Sequence, residues 1–491
     1  MTLTNPGARE LDGKRIAIVG LGKSGRASLK VLGELTQATL SAWDADMTAL
    51  ARIAGSRVDT AGSDLDAASL ARKVLAWHPD IIIPAPAIAE VGPLFEAARE
   101  ADVELWSEIE LAWRLRAMDE QGNYAPWLCV TGTNGKTTTV SMVGAMLKQA
   151  GLGGLPIGNV GNPAVLETTR TDAAAPKAFV LELSSFQLTT THSVSPLASV
   201  CLNFADDHLE WHGSREAYWA AKARIYERTQ VACVYPVGDS IVQRMVDEAD
   251  VVEGARAIGV SADVPAAGSI GIVEGVVVDR AYHASRFNEA IELFEISDIA
   301  HLAPAGSPLP EHIVKDALTA AALARAAGVS GSDIRAALQS FESGHHRIEL
   351  IATLNGVRYV DDSKATNAHA TLASIASQRD GSVVWIAGGV AKGARFNELV
   401  GAVKSKLRAV VVIGVDQEPW RDALGQIPDV PIRWVDPSTT TPMEDAIALS
   451  RDVARPDDTV LLAPASASFD QFSSYAQRGD AFAAAVRASR A

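Results

Sequence analysis

A lysine followed by a threonine, Lys136-Thr137, closes the run Thr131-Gly-Thr-Asn-Gly-Lys-Thr137, and those residue types at that spacing suit a triphosphate. A glycine-rich turn between a strand and a helix directs backbone N–H groups at an anion, and the helix dipole adds partial positive charge there. Lys136 would reach the β- and γ-phosphates, and the Thr137 hydroxyl would hold Mg2+. Gly132, Thr133, Asn134, Gly135 and Thr138 would line the same pocket. The residue five before Gly135 is Val130, so the general phosphate-loop pattern is broken at its first position. A turn that merely caps a helix uses the same residues. The favoured reading is a nucleotide triphosphate site.

Other reactive side chains cluster at places where strands should end. Glu182 closes a buried run in Leu-Glu-Leu-Ser-Ser-Phe-Gln-Leu188, and His208 ends Asn203-Phe-Ala-Asp-Asp-His208 after another apolar run. In parallel α/β sheets ligands gather at the C-terminal ends of strands. A carboxylate and an imidazole there, together with Lys136 and Thr137, suit Mg2+ bridging ATP phosphates. Either alone would be read as a solvated or helix-capping residue. Lys222, in Ala-Ala-Lys222-Ala-Arg-Ile-Tyr226, reads locally as a solvated helix residue, although a buried lysine can lose its proton and become nucleophilic. Further on, Asp361-Asp-Ser-Lys-Ala-Thr-Asn367 puts two acids, an ammonium and small polar groups in one turn, as a surface helix cap also could. Gly388-Gly-Val-Ala-Lys392-Gly393 and Ala465-Ser-Ala-Ser468-Phe-Asp-Gln-Phe472 are two more turns of that kind. Three anion-capable turns at one sheet suggest an acidic second substrate.

The elements that must carry these groups fall into three α/β segments. The first opens with a strand into Gly20-Leu-Gly22-Lys-Ser-Gly25 and then a helix, with a second strand over 38–43 ending at Asp44. That carboxylate stands where a Rossmann fold contacts a ribose hydroxyl. Residues 118–126 are polar and read as a linker. The second segment has strands over 127–130, 178–183 and 197–202, helices over 137–149 and 215–229, a strand- and turn-rich stretch to about 310, and a helix over 313–327 stopped by Gly328. The third alternates strands over 358–360, 382–387, 409–413 and 459–462 with helices near 368–377, over 443–453 and at the end. The expected architecture is α/β in three domains. Residues 1–116 form a Rossmann-like domain, 117–343 a central phosphate-loop domain on a parallel sheet, and 344–491 a second Rossmann-like, doubly wound domain.

Composition bounds the partners. A length of 491 residues, with 48% hydrophobic and 21% charged, is enough for three cored domains. A net charge of −15 argues against a broad nucleic-acid surface. Cys129, Cys201 and Cys233 show neither metal spacing nor a disulfide framework, and no apolar run approaches membrane-spanning length. The expectation is a cytoplasmic, monomeric protein without a membrane partner.

Taken together, Thr131-Gly-Thr-Asn-Gly-Lys-Thr137, Leu181-Glu-Leu-Ser-Ser-Phe-Gln-Leu188, Ala-Ala-Lys222-Ala-Arg-Ile-Tyr226, His346-Arg347, the 361–367 turn and Ser466-Ala-Ser-Phe-Asp-Gln-Phe472 resemble the Mur ligases of peptidoglycan synthesis. The similarity covers nearly the whole chain. Ser363-Lys-Ala-Thr-Asn367 is similar to the loop of the family member that adds D-glutamate. The resemblance implies ATP, two Mg2+ ions, UDP-N-acetylmuramoyl-L-alanine and D-glutamate. It implies that Gly22, Lys23, Ser24 and Asp44 bind the UDP part, with Asn159, Ser184 and Gln187 around the muramoyl part. It places Arg347 and Asp362 on ATP, and Lys364, Thr366, Lys392, Ser468 and Tyr475 on D-glutamate. Thr137, Glu182, His208 and a carbamate on Lys222 would hold metal. Two stretches depart from the family: Glu311-His312-Ile313-Val-Lys-Asp316 replaces a His-Asn motif with a later asparagine, and Ala85-Pro86-Ala87 replaces Ser-Pro-Gly. The alternatives are a sister amide ligase of the Mur or folylpolyglutamate type, a nicotinamide oxidoreductase built on Gly20, Gly22 and Gly25, and a nucleotide-switched binding protein.

Overall fold

In a computed structural model, the chain is described over residues 2–303, 308–342, 344, 346–376 and 378–489. Three sheets carry the architecture, which is α/β throughout. The expected helix end at Ser377 and His345 of the Gly344–Arg347 run lie outside the described residues.

The first sheet has five parallel strands in the order Thr60–Ser63, Thr39–Asp44, Arg15–Val19, Ile81–Pro84, Glu104–Leu105. Arg15–Val19 is apolar and buried almost throughout because helices cover both faces of such a sheet. The strand order reverses beside this strand, and the glycine-rich turn opens there into the helix Lys23–Leu35.

The second sheet has nine strands, with Trp127–Thr131 set between Ala178–Glu182 and Ala198–Cys201. Those two neighbours deliver Glu182 and the 202–208 segment to either side of the phosphate loop. The parallel sheet expected here is present, and it is extended at one edge. Val276–Asp279 and Ile291–Glu295 add two antiparallel strands there, the first entered from Ser269–Val273 through a tight turn at Gly275. The helix expected over 215–229 is an α-helix, Arg215–Ala223, that tightens into a 3₁₀ turn, Arg224–Tyr226.

The third sheet runs Glu349–Leu354, Val357–Asp361, Thr459–Leu462, Val383–Gly388, Leu407–Ile413, Ile432–Trp434. All its pairings are parallel except the first, an edge hairpin.

Contacts group the described chain into two compact units, Met1–Asp298 with Val314–Phe341, and Ile299–Ile313 with Glu342–Ala491. The first two sheets therefore share one unit. Their junction is built on two buried acids of the helix Glu108–Leu115. Glu110 accepts from the N–H groups of His192 and Ser193 and from the Ser193 hydroxyl, and Glu108 accepts from the N–H of Val165. The 118–126 linker is an ordered turn, with the Asp119 carboxylate accepting from Gln121 and Asn123 N–H and Met118 bridged to Thr4 and Tyr124.

Candidate active site

The phosphate loop is shaped by Gly135. It caps the helix Lys136–Gln149 with φ +82°, and a Cβ there would come within 2.5 Å of Asp316 Oδ1. Both the left-handed backbone and the lack of space require glycine. At the C-terminal edge of the neighbouring strand, Glu182 is buried, and both of its carboxylate oxygens are engaged. Thr137 Oγ1 donates to Oε2 at 2.6 Å, and Asn159 Nδ2 donates to Oε1 at 2.8 Å. The Asn159 N–H also donates to the Glu182 carbonyl at 2.8 Å, so strand and loop are fastened twice.

The loop's backbone differs from a simple cradle of outward N–H groups. Asn203 Oδ1 accepts from Thr133 N–H at 3.0 Å and Asn134 N–H at 2.9 Å, and its Nδ2 donates back to the Asn134 carbonyl. Ala205 N–H donates to Thr133 Oγ1 at 3.0 Å. Lys136 Nζ donates to the carbonyls of Gly132 at 2.7 Å and Thr133 at 2.9 Å, which lays its ammonium across the loop. Sequence reasoning passed over Asn203. Its signal is positional: it follows the strand Ala198–Cys201, which pairs directly with Trp127–Thr131.

His208 has φ +54° and heads a short helix, Leu209–His212; its Nε2 is 3.5 Å from Asp207 Oδ2. Lys222 is fully buried, with Nζ 5.0 Å from the centre of the Tyr218 ring. Burial, and next the charge of Lys136, push its amine down to about 7. A substantial fraction is thus neutral near neutral pH.

In the first sheet's turn, Asp44 Oδ2 accepts from Leu21 N–H at 2.6 Å, Gly22 caps the helix Lys23–Leu35, and Ser24 lies in its first turn. Lys23 Nζ reaches the carbonyl of Gly161, joining this turn to the 158–162 loop that bears Asn159. Ser184 and Gln187 satisfy each other in a capping box at the helix Ser185–Thr189.

In the second unit, the 361–367 turn, the 388–393 turn and the 465–472 segment come together. Asp362 is buried and accepts from the Ser374 hydroxyl; burial pushes its carboxyl up to about 7, against the nearby charge of Arg347. Lys364 Nζ lies 4.1 Å from the centre of the Tyr475 ring, and Lys392 Nζ 6.0 Å from that of Phe469. Thr366 N–H donates to the Lys364 carbonyl, and Ser468 is buried. Val390 and Ala467 form a two-bond bridge between their turns. The one group of three donors close enough to share a cation among the described residues is His346, Glu349 and Asp361. There His346 Nδ1 and Asp361 Oδ2 already pair at 2.7 Å.

A phosphate loop facing a buried glutamate on a nine-stranded sheet, in a chain that also carries two smaller α/β sheets, matches known families. Residues 130–324 match the Mur ligase middle domain, and residues 346–466 match the Mur ligase glutamate ligase domain. The UDP-N-acetylmuramoylalanine–D-glutamate ligase of Streptomyces coelicolor is 45% identical over 484 residues, covering 97% of this chain and 98% of that protein. That of Mycolicibacterium smegmatis is 40% identical over 510 residues, covering 97% of each. The chain belongs to the Mur ligase family.

Solved structures share the fold. A UDP-N-acetylmuramate-alanine ligase from Thermotoga maritima aligns over 97% of this chain and all of that one, with a TM-score of 0.53 at 18% identity. A MurF ligase from Thermotoga maritima in complex with ADP covers 99% of both, with a TM-score of 0.52 at 16% identity.

Proposed function

We propose that the chain is the ATP-dependent ligase that joins D-glutamate to UDP-N-acetylmuramoyl-L-alanine, releasing ADP and phosphate in peptidoglycan precursor synthesis. The observation that carries this reading is the Thr137–Glu182 pair at 2.6 Å beside Lys136, in a chain 45% identical to a ligase of that name. No helix among the described residues is long and apolar enough to cross a membrane. We place the protein in the cytoplasm as a monomer.

The hard oxygens of Thr137 and Glu182 fit Mg2+, and His208 with a Lys222 carbamate would hold a second ion. Bound metal would supply positive charge to the phosphate oxygens. The chain's own part begins with Lys136, whose ammonium neutralises the γ-phosphate as the substrate's terminal carboxylate attacks phosphorus. The bond to the ADP oxygen breaks, and an acyl phosphate forms. Catalysis there is positioning and charge neutralisation. The unprotonated amine of D-glutamate then attacks the acyl carbon, the amide C–N bond forms, phosphate leaves, and the amine's proton passes to solvent. Arg347 and Asp362 would contact ATP; Lys364, Thr366, Lys392, Ser468 and Tyr475 would hold the D-glutamate carboxylates. Gly22, Lys23, Ser24 and Asp44 would take the UDP part, and Asn159, Ser184 and Gln187 the muramoyl part. The domains proposed for these roles are residues 1–116, 117–343 and 344–491. At Lys222, the lowered basicity leaves the lone pair free to attack CO2, releasing one proton and leaving the carbamate anion.

The test is phosphate release with a panel of amino acids, using acceptor labelled with heavy oxygen in its terminal carboxylate. Turnover with D-glutamate and one labelled oxygen in the phosphate is expected. Turnover with L-alanine alone, or unlabelled phosphate, refutes the reading.

A further inference from the structure

Arg478 is among the largest side chains wholly removed from solvent. Its guanidinium is spent on neutral acceptors. Nε donates to Ser363 Oγ at 2.9 Å, Nη2 to the Ser363 carbonyl at 2.9 Å, and Nη1 to the Ser466 carbonyl at 3.0 Å. Among the described residues no carboxylate comes within ion-pairing distance. The two carboxylates whose charge acts on it from further off have other partners, Asp361 with His346 and Asp470 with the N–H of Val415.

Burying a cation without a counter-ion is costly, and buried charges are normally paired. Burial lowers Arg478 only to about 10, so it remains charged at neutral pH. Its surroundings are the three turns singled out as anion-capable. Ser363 passes the contact on by donating its hydroxyl to the Tyr475 carbonyl at 2.8 Å, and the Tyr475 ring carries Lys364. The 388–393 turn packs on the other side: a Cβ at Gly389 would meet Ala467 O at 2.3 Å and Arg478 Nη1 at 3.4 Å. A second, independent feature lies beside it. Ser466 is buried, and its Oγ has no hydrogen-bond partner among the described residues.

We infer that Arg478 is a positioning residue for the acidic amino-acid substrate. Its planar fork locks the 363–364 and 466–468 backbones into one cradle, and its unmatched charge makes that cradle selective for a dicarboxylate. The substrate's carboxylates supply the missing negative charge through Ser363, Lys364 and Ser468, without touching Arg478. This inference rests on the reading of the substrate as D-glutamate. Arginine suits the role better than lysine because three acceptors in fixed directions need a rigid planar donor.

The test is steady-state ligation by the full chain, varying D-glutamate and ATP separately, for wild type, R478K and R478M. R478M is expected to raise KM for D-glutamate about thirtyfold and leave KM for ATP within about twofold; R478K, with charge but no fork, should fall between, near fivefold. A D-glutamate KM unchanged in R478M overturns the inference. So does a parallel rise in every KM, the mark of a purely structural role, and so does a lysine variant no better than methionine. If R478M does not fold, R478K against wild type decides, and an unchanged D-glutamate KM there refutes the fork. Failure of the parent reading looks different, since wild type itself then ligates no D-glutamate.

Discussion

Thr137 Oγ1 and Glu182 Oε2, 45 positions apart in the chain, meet at 2.6 Å because the strand leading into the phosphate loop, Trp127–Thr131, is the parallel neighbour of Ala178–Glu182. Val130 pairs with Glu182 in register, so the hydroxyl on the first helical turn and the carboxylate on the strand end point into the same space. Asn159 holds the other carboxylate oxygen and fixes its orientation. Replacing Glu182 with glutamine keeps the shape and removes the charge. The expected outcome is a kcat lower by about 10–100-fold and a higher Mg2+ concentration at half-maximal rate, as for lost metal-site support. A Mg2+ titration of initial rates checks it.

Lys136→Ala should lower ligation by about a thousandfold or more, since the γ-phosphate loses its main cationic partner. The variant also loses hydrogen bonds to the loop's own carbonyls, so a change in melting temperature is read beside the loss of rate. Coupled ADP-release kinetics and calorimetry separate the two. Normal turnover in this variant would remove the phosphate-loop assignment.

Asn203→Ala strips the acceptor from two N–H groups of the phosphate loop. The side-chain link between the loop and the segment that bears His208 is lost, at about 0.5–1.5 kcal/mol per hydrogen bond, while the Thr133 contacts to the Asn203 carbonyl and to Ala205 remain. KM for ATP should rise while KM for D-glutamate stays fixed. Asn203→Asp keeps the acceptor but adds negative charge beside the phosphates, so its ATP KM should be raised as well.

Lys222 gives a pH signature. From about pH 7 to its ordinary value of 10.5, the unfolded lysine holds a proton that the folded one has released. Stability therefore climbs with pH across that window, and the cost of burial is felt in full below 7. In CO2-free buffer, Lys222→Met should gain on the order of 3 kcal/mol at pH 6, and progressively less towards pH 10. Unfolding curves at a series of pH values check it. Lys222→Ala should be inactive and partly rescued by acetate if a carbamate is the working form, and an unrescued variant would indicate a structural lysine.

Much of the scaffold could be read from the chain because buried parallel strands appear as short apolar runs. Arg15–Val19, Trp127–Thr131 and Thr459–Leu462 are all of that kind. The phosphate loop was legible because its residues are contiguous. What escaped depends on contacts across long separations. Asn203 acts on residues 69 and 70 positions away, and Arg478 reaches Ser363 across 115. In sequence, Arg478 is one more charge on a C-terminal helix; only packing reveals that it lies on the buried stripe with Phe482 and Ala485. The antiparallel edge Val276–Asp279 and Ile291–Glu295 was hidden for another reason, since turn-rich sequence does not state which strand a segment joins.

Glu108 and Glu110 give the junction of the first two sheets a consequence for proteolysis. The covalent link through residues 118–126 is not what keeps those lobes together, because the buried carboxylates grip backbone amides on the far side. A protease that nicks the exposed bonds near Gln121 should leave two fragments that separate in denaturing gels yet travel together through a sizing column.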